Sequence, residues 1–165
     1  MPKKFRIPFW IAVVLWMALI FSFSMENSVQ SAESSGGFIR TLLETFDRDF
    51  LALSYAEQHA EIESLSYFVR KSAHFCIFGM LGILVTSAVS THGFTPKKTA
   101  LFSLGICAIY AVSDEVHQYF VPGRACMLRD MLIDTCGAAC GIAAVSFLIY
   151  IVRKHRNTTI HQRRL

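Results

Sequence analysis

The stretch Ser113–Arg124 places two carboxylates (Asp114, Glu115), an imidazole (His117), an amide (Gln118) and a guanidinium (Arg124) within twelve residues. A carboxylate beside an imidazole can move protons as general acid and base. A guanidinium can hold a phosphate through two parallel hydrogen bonds. On a helix, Asp114 would share a face with His117 and Gln118. Two further polar sets accompany this one: Arg70, Lys71 and His74 near the start of one apolar run, and Asp130 and Asp134 at the start of another. Helical spacing puts Lys71 and Arg70 on His74's face, and Asp130 on that of Asp134. Ionisable groups at a membrane boundary are costly, which makes all three sets functional candidates.

The elements that must position these residues follow from composition. Of 165 residues, 53% are apolar, only 17% are charged and 14 are Phe. That is too apolar for an ordinary soluble domain of this length. The apolar residues come in long blocks, as membrane spans do. The predicted fold class is an all-α membrane protein: a single domain over 1–165, with four transmembrane helices at about 7–24, 65–90, 97–118 and 130–152 and a basic tail at 153–165. The first run, Ile7 to Phe23, has seventeen residues. At ~1.5 Å per residue it reaches ~26 Å, enough to cross. No small-x-small cleavage site lies straight after Phe23, so the run is read as a retained anchor rather than a signal peptide. The five cysteines contain no CxxC pair. That leaves no support for a zinc-ribbon or thioredoxin-type site.

Between the first two spans lies an acidic polar segment. Ser31–Gly37 is expected to be a turn or flexible loop. Phe38, Ile39, Leu42, Leu43 and Phe46 recur at helical spacing, predicting a short amphipathic helix in this outer loop. It would lie on the membrane surface or pack on the bundle. Gly93 is expected at the C′ position ending the second helix, with Thr95 as N-cap and Pro96 at N1 of the third. Val121–Pro122–Gly123–Arg124 fits a type II turn. Gly137 and Gly141 have the G-x-x-x-G spacing that permits close helix contact.

Charge sets the orientation. The N-terminus, the Lys97/Lys98 loop and the tail together hold ten basic residues and no acid, while the opposite side holds six basic residues and all twelve acids. The positive-inside rule then places both termini in the cytoplasm. Arg70, Lys71, His74, Asp114, Glu115, His117, Gln118, Arg124, Asp130 and Asp134 would converge in one shallow pocket on the extracytoplasmic face. The N-terminus of the second span, expected at that face, would add a dipole favourable to an anion.

Several chemistries suit such a pocket. It could bind an anionic headgroup through Arg70, Lys71 and Arg124. It could belong to a hydrolase or transferase acting on a lipid-linked or glycan substrate, with Asp114, Glu115 and His117 as acid–base groups. His74, His117, Asp114 and Asp130 are acceptable zinc or manganese ligands, although their spacing matches no metal motif. A structural ion-pair network closing the bundle is the plainest alternative. A transporter is disfavoured, because the polar residues lie at one face rather than at the midplane. The expected partners are membrane lipids and an envelope precursor or lipoglycopeptide, not nucleic acid. No cofactor is required, and the oligomeric state is open.

The pieces Lys71-x-x-His74-Phe75-x-x-Phe78-x-x-Leu81, Asp114-Glu115-x-His117-Gln118-x-Phe120-x-Pro122-Gly123-Arg124 and Asp130-x-x-x-Asp134-x-x-Gly137-x-x-x-Gly141 occur in this order. In them the chain resembles the VanZ-like family of small bacterial membrane proteins. The resemblance covers about residues 65–150 and, less specifically, the first span. It implies a four-helix domain in the bacterial plasma membrane and a link to low-level teicoplanin resistance. It supplies no reaction. At Asp134 the chain departs from the Asn that the family often carries there.

Overall fold

A computed structural model describes residues 3–162, which are helical apart from short connections. The helices are α1 (Arg6–Ser24), α2 (Ser28–Phe46), α3 (Tyr55–Ser90), α4 (Pro96–Tyr119) and α5 (Leu128–Gln162), with two short 3-10 turns at Lys3–Phe5 and Phe50–Ala52. Four of them, α1, α3, α4 and α5 (over Leu128–Val152), are long and apolar enough to cross a membrane.

The core of this four-helix unit is built from Val13 and Ile20 of α1, Phe78, Leu81 and Val85 of α3, Cys107 and Ala111 of α4 and Ala138 of α5. α1 is apolar on all sides and has no single core stripe. Polar pins set its position instead. The Trp16 indole donates to the Ile77 carbonyl at 2.9 Å, and the Tyr110 hydroxyl donates to the Met17 carbonyl at 2.6 Å. Trp10 lies 3.2 Å from the His92 ring nitrogen. In an apolar surrounding a donor without a partner is costly, so these bonds select one placement of α1. They leave its last residue, Ser24, buried beside α4.

α3 and α5 run parallel and meet along small residues. A Cβ added at Gly137 would strike the Phe75 carbonyl, at Gly141 the Gly79 carbonyl and at Gly82 the Ala138 carbonyl. The Gly137–Gly141 spacing is therefore a true contact surface, as its sequence pattern predicts.

The segment after α1 departs from the sequence expectation. Ser31–Gly37 is not a loop; it lies inside α2. Asn27 and Gln30 form a reciprocal capping box, which satisfies two backbone donors at the helix start. Ser35 turns its hydroxyl back onto the Ser31 carbonyl at 2.8 Å, so its turn-forming capacity is spent within the helix. A Cβ at Gly36 would sit 3.4 Å from Ile62, so the small residue lets α2 lie close on α3. Ile39, Phe50 and Ile62 form a second small core there. The amphipathic helix is thus longer than expected and packs on α3, with Phe38, Leu42 and Phe46 of its apolar stripe left exposed.

α3 itself starts at Tyr55, about ten residues before the expected span, because Ser54 and Glu57 form a second capping box. The connections follow the sequence more closely. The Thr95 side chain accepts from the Lys98 amide, with Pro96 in the first helical turn. Gly123 has φ +76°, and the Arg124 amide donates to the Val121 carbonyl at 3.1 Å, as a type II turn requires. Gly93 has φ +79° but lies one position beyond the expected C′. The last turn of α3 is tightened by Thr91 and His92 amides bonding to Ala88 and Val89.

Candidate functional site

The site forms where the end of α1, the end of α4 and the start of α5 meet the middle of α3. Asp114 is its centre. It is buried, and its Oδ1 accepts from the Ser24 hydroxyl at 2.5 Å while its Oδ2 accepts from the Gln118 amide at 2.8 Å. One helical turn separates Asp114 from Gln118, so α4 alone aligns that pair. The Gln118 carbonyl oxygen accepts from Arg124 at 3.1 Å. The type II turn returns Arg124 over the end of α4, which makes this bond possible.

α5 supplies the other acids. Asp130 pairs with the Lys71 ammonium of α3. Asp134, one turn further, is fully buried, and its Oδ1 stands 3.5 Å from the His74 Nδ1. Glu115 is also fully buried, with Oε2 accepting from the Met127 amide at 2.9 Å and Oε1 without a hydrogen-bond partner among the described residues. It ties the connection after the turn to α4.

A cavity of about 240 Å³ opens above this layer. Arg70, Lys71, His74, Gln118, Arg124 and Asp130 line it, together with Ser28 and Ser31 of α2 and Tyr67 of α3. A more apolar groove adjoins it, sharing Ser31, Arg70, His74 and Arg124 and adding Phe23, Phe38, Val69 and Ile77, with Glu26 also on its wall. Arg70 makes no hydrogen bond or ion pair among the described residues, and no carboxylate lies within ion-pair distance of Arg124. Burial, and next the neighbouring Arg70, hold the Arg124 guanidinium below the ordinary arginine range. Two guanidiniums facing one cavity disfavour each other until an anion joins them.

Of the ten residues singled out by sequence, Arg70, Lys71, His74, Gln118, Arg124 and Asp130 line the cavity. Asp114 and Asp134 lie in the layer beneath, within reach of His74. Glu115 lies under the connection, and His117 points away: its ring packs at a tilt against Phe21, 4.3 Å between centroids, and it lines neither the cavity nor the groove. The expected dipole from the second span does not act here. α3 begins fifteen residues before Arg70, about 22 Å away along the axis, and the dipole effect fades within the first turn. The helix start that reaches the cavity is that of α2, through Ser28 and Ser31.

Ser24 was not singled out from the sequence. Its signal is its place at the end of the first apolar run, at the same end of the bundle as Asp114. Tyr67 was also missed; its ring receives the Lys71 ammonium at 5.6 Å and the Arg129 guanidinium at 5.1 Å.

Four apolar helices closing on a charged cavity at one end define a multi-pass helical membrane protein. The chain belongs to the VanZ/LLP1 family, whose model matches residues 9–152 and so spans all four of these helices up to the basic tail. No curated protein and no solved structure matches the chain.

Proposed function

We propose that this protein binds an anionic amphiphile of the bacterial cell envelope, with its headgroup on Arg70 and Arg124 and its chain in the adjoining groove. The observation that carries the reading is the pair of guanidiniums without a carboxylate partner at the junction of a polar cavity and an apolar groove. Arginine forks match the oxygens of phosphate and carboxylate groups. An acyl or polyprenyl chain would lie against Phe23, Phe38, Val69 and Ile77.

The candidate ligands share this chemistry: an anionic phospholipid, a lipid-linked envelope precursor, or a lipoglycopeptide of the teicoplanin type. Lipoglycopeptide capture would contribute to resistance; precursor binding would do so by shielding the drug's target. The segregation of ten basic residues from all twelve acids supports placing the cavity on the extracytoplasmic face of the plasma membrane and both termini inside. The exposed Phe38, Leu42 and Phe46 of α2 suit a helix resting at the headgroup level.

Native mass spectrometry of the purified full chain tests the reading. With equal amounts of phosphatidylglycerol and phosphatidylcholine, the wild type should retain the anionic lipid preferentially, and Arg70→Ala/Arg124→Ala should lose that preference. Equal retention of both lipids by the wild type would sink the proposal.

A second reading rests on the buried Asp134 beside His74: a membrane-embedded hydrolase or transferase using these groups for proton transfer. Turnover of a purified lipid-linked substrate, lost in His74→Ala, would favour it over simple binding.

A further inference from the structure

Beneath the cavity, three side chains from three helices converge. His74 of α3, Asp114 of α4 and Asp134 of α5 each offer one ligand atom, and these atoms lie within 4.8 Å of one another. We propose that they form a binding site for one divalent transition-metal ion of the zinc or manganese class.

Asp134 points to the ion. Its side chain is fully buried, and neither carboxylate oxygen has a hydrogen-bond donor among the described residues. Its ion-pair contact among the described residues is His74 Nδ1 at 3.5 Å, itself a member of the cluster. A buried carboxylate without donors is strongly disfavoured. Nearby cations do not correct this. Lys71 is engaged by Asp130, and among the described residues no arginine lies within ion-pair distance of Asp134. A single imidazolium would leave one of the two carboxylates, Asp114 or Asp134, uncompensated. A divalent cation matches both.

The geometry suits first-row metal coordination. Two ligand atoms each about 2.1 Å from a tetrahedral ion stand about 3.4 Å apart. The His74–Asp134 separation of 3.5 Å meets that value, and the others lie within 4.8 Å, so modest closure around an ion completes the set. Asp114 is already oriented: Ser24 holds one oxygen and Gln118 the other, and Arg124 holds Gln118. Such outer partners are what metal-binding carboxylates use. Each Asp114 oxygen keeps a second lone pair for the ion. One imidazole with two carboxylates is a donor set for zinc or manganese rather than for the soft ions that thiolates select. Three protein ligands leave a coordination position open. His74 also lines the cavity, so that position is reached from the same side as the two guanidiniums.

The test is a metal count on the full chain in detergent, stripped with EDTA and dialysed against Zn2+ or Mn2+ alone. No lipid ligand is added, so the outcome is independent of amphiphile binding. One equivalent should remain on the wild type and raise its unfolding temperature, and chelator should reverse both. Asp134→Asn, nearly isosteric, and His74→Ala should each weaken retention at least about tenfold while keeping helical circular dichroism. Glu61→Gln, remote from the cluster, should retain the ion. X-ray absorption on the loaded wild type should show one imidazole with oxygen donors, and this measurement decides the matter should the variants not fold. No retained ion, a sulfur or multi-imidazole shell, or full retention by a folded Asp134→Asn protein would overturn the proposal.

Discussion

The two halves of the α3–α5 contact are made of opposite materials. Deeper in the bundle the contact is backbone against backbone, with Gly82, Gly137 and Gly141 leaving no room for a side chain. Towards the cavity it is charge against charge, with Lys71 on Asp130 and His74 near Asp134. The first half makes the second possible. Helices held apart by large side chains would carry His74 and Asp134 beyond reach of each other. Glycine contact brings the axes close, and short polar side chains then meet one turn away. Stability in one half and chemistry in the other are products of a single interhelical distance.

This contrast can be broken from either side. The largest effect is expected at the glycine half. Gly141→Leu would press a side chain into the Gly79 carbonyl, and overpacking against backbone should cost about 3 kcal/mol. The readout is denaturant unfolding in detergent, with the His74–Asp134 approach lost as well. Gly105→Ala is the matched control: a Cβ there meets nothing within 4 Å, and the change should be neutral or stabilise by up to about 1 kcal/mol. If both variants unfold alike, the helices are not held by the glycine contact.

Within the charged half, Asp114→Ala would leave the buried Ser24 hydroxyl without its acceptor and the Gln118 amide with Ser24 as its only acceptor among the described residues. Leaving buried donors unmade should cost about 2 kcal/mol, less than the glycine variant and more than Asp114→Asn. The same unfolding measurement ranks them. A smaller and local effect is expected at Asn27→Ala, which removes the α2 capping box at a cost of about 1 kcal/mol. Amide exchange should accelerate over residues 28–35 and stay unchanged in α3. Uniformly fast exchange over 28–35 in the wild type would restore the loop expected from the serines and glycines.

That segment shows where sequence reasoning stopped. Ser31–Gly37 has the composition of a turn, yet Gly36 serves close packing on Ile62 and Ser35 bonds its own helix. Glycine and serine report a backbone freedom or a small volume, and composition does not say which is used. The start of α3 was missed for a related reason. Hydropathy marks where a helix turns apolar, whereas Ser54 and Glu57 decide where it begins. His117 was grouped with Asp114 by helical spacing, but a face shared on one helix is broad, and packing against Phe21 turns the ring aside.

The sequence by itself determined the four apolar helices, the Pro–Gly turn, the glycine contact and the charged residues of the polar cavity, because each is written in local period, chain geometry or the solvation cost of charge. Tertiary structure alone decided which acids are satisfied. Asp114 finds Ser24 ninety residues away, Asp130 finds Lys71, and Asp134 has His74 as its ion-pair contact among the described residues. Those partners come from different helices, and their pairing depends on interhelical distance and rotation, which no stretch of the chain encodes by itself.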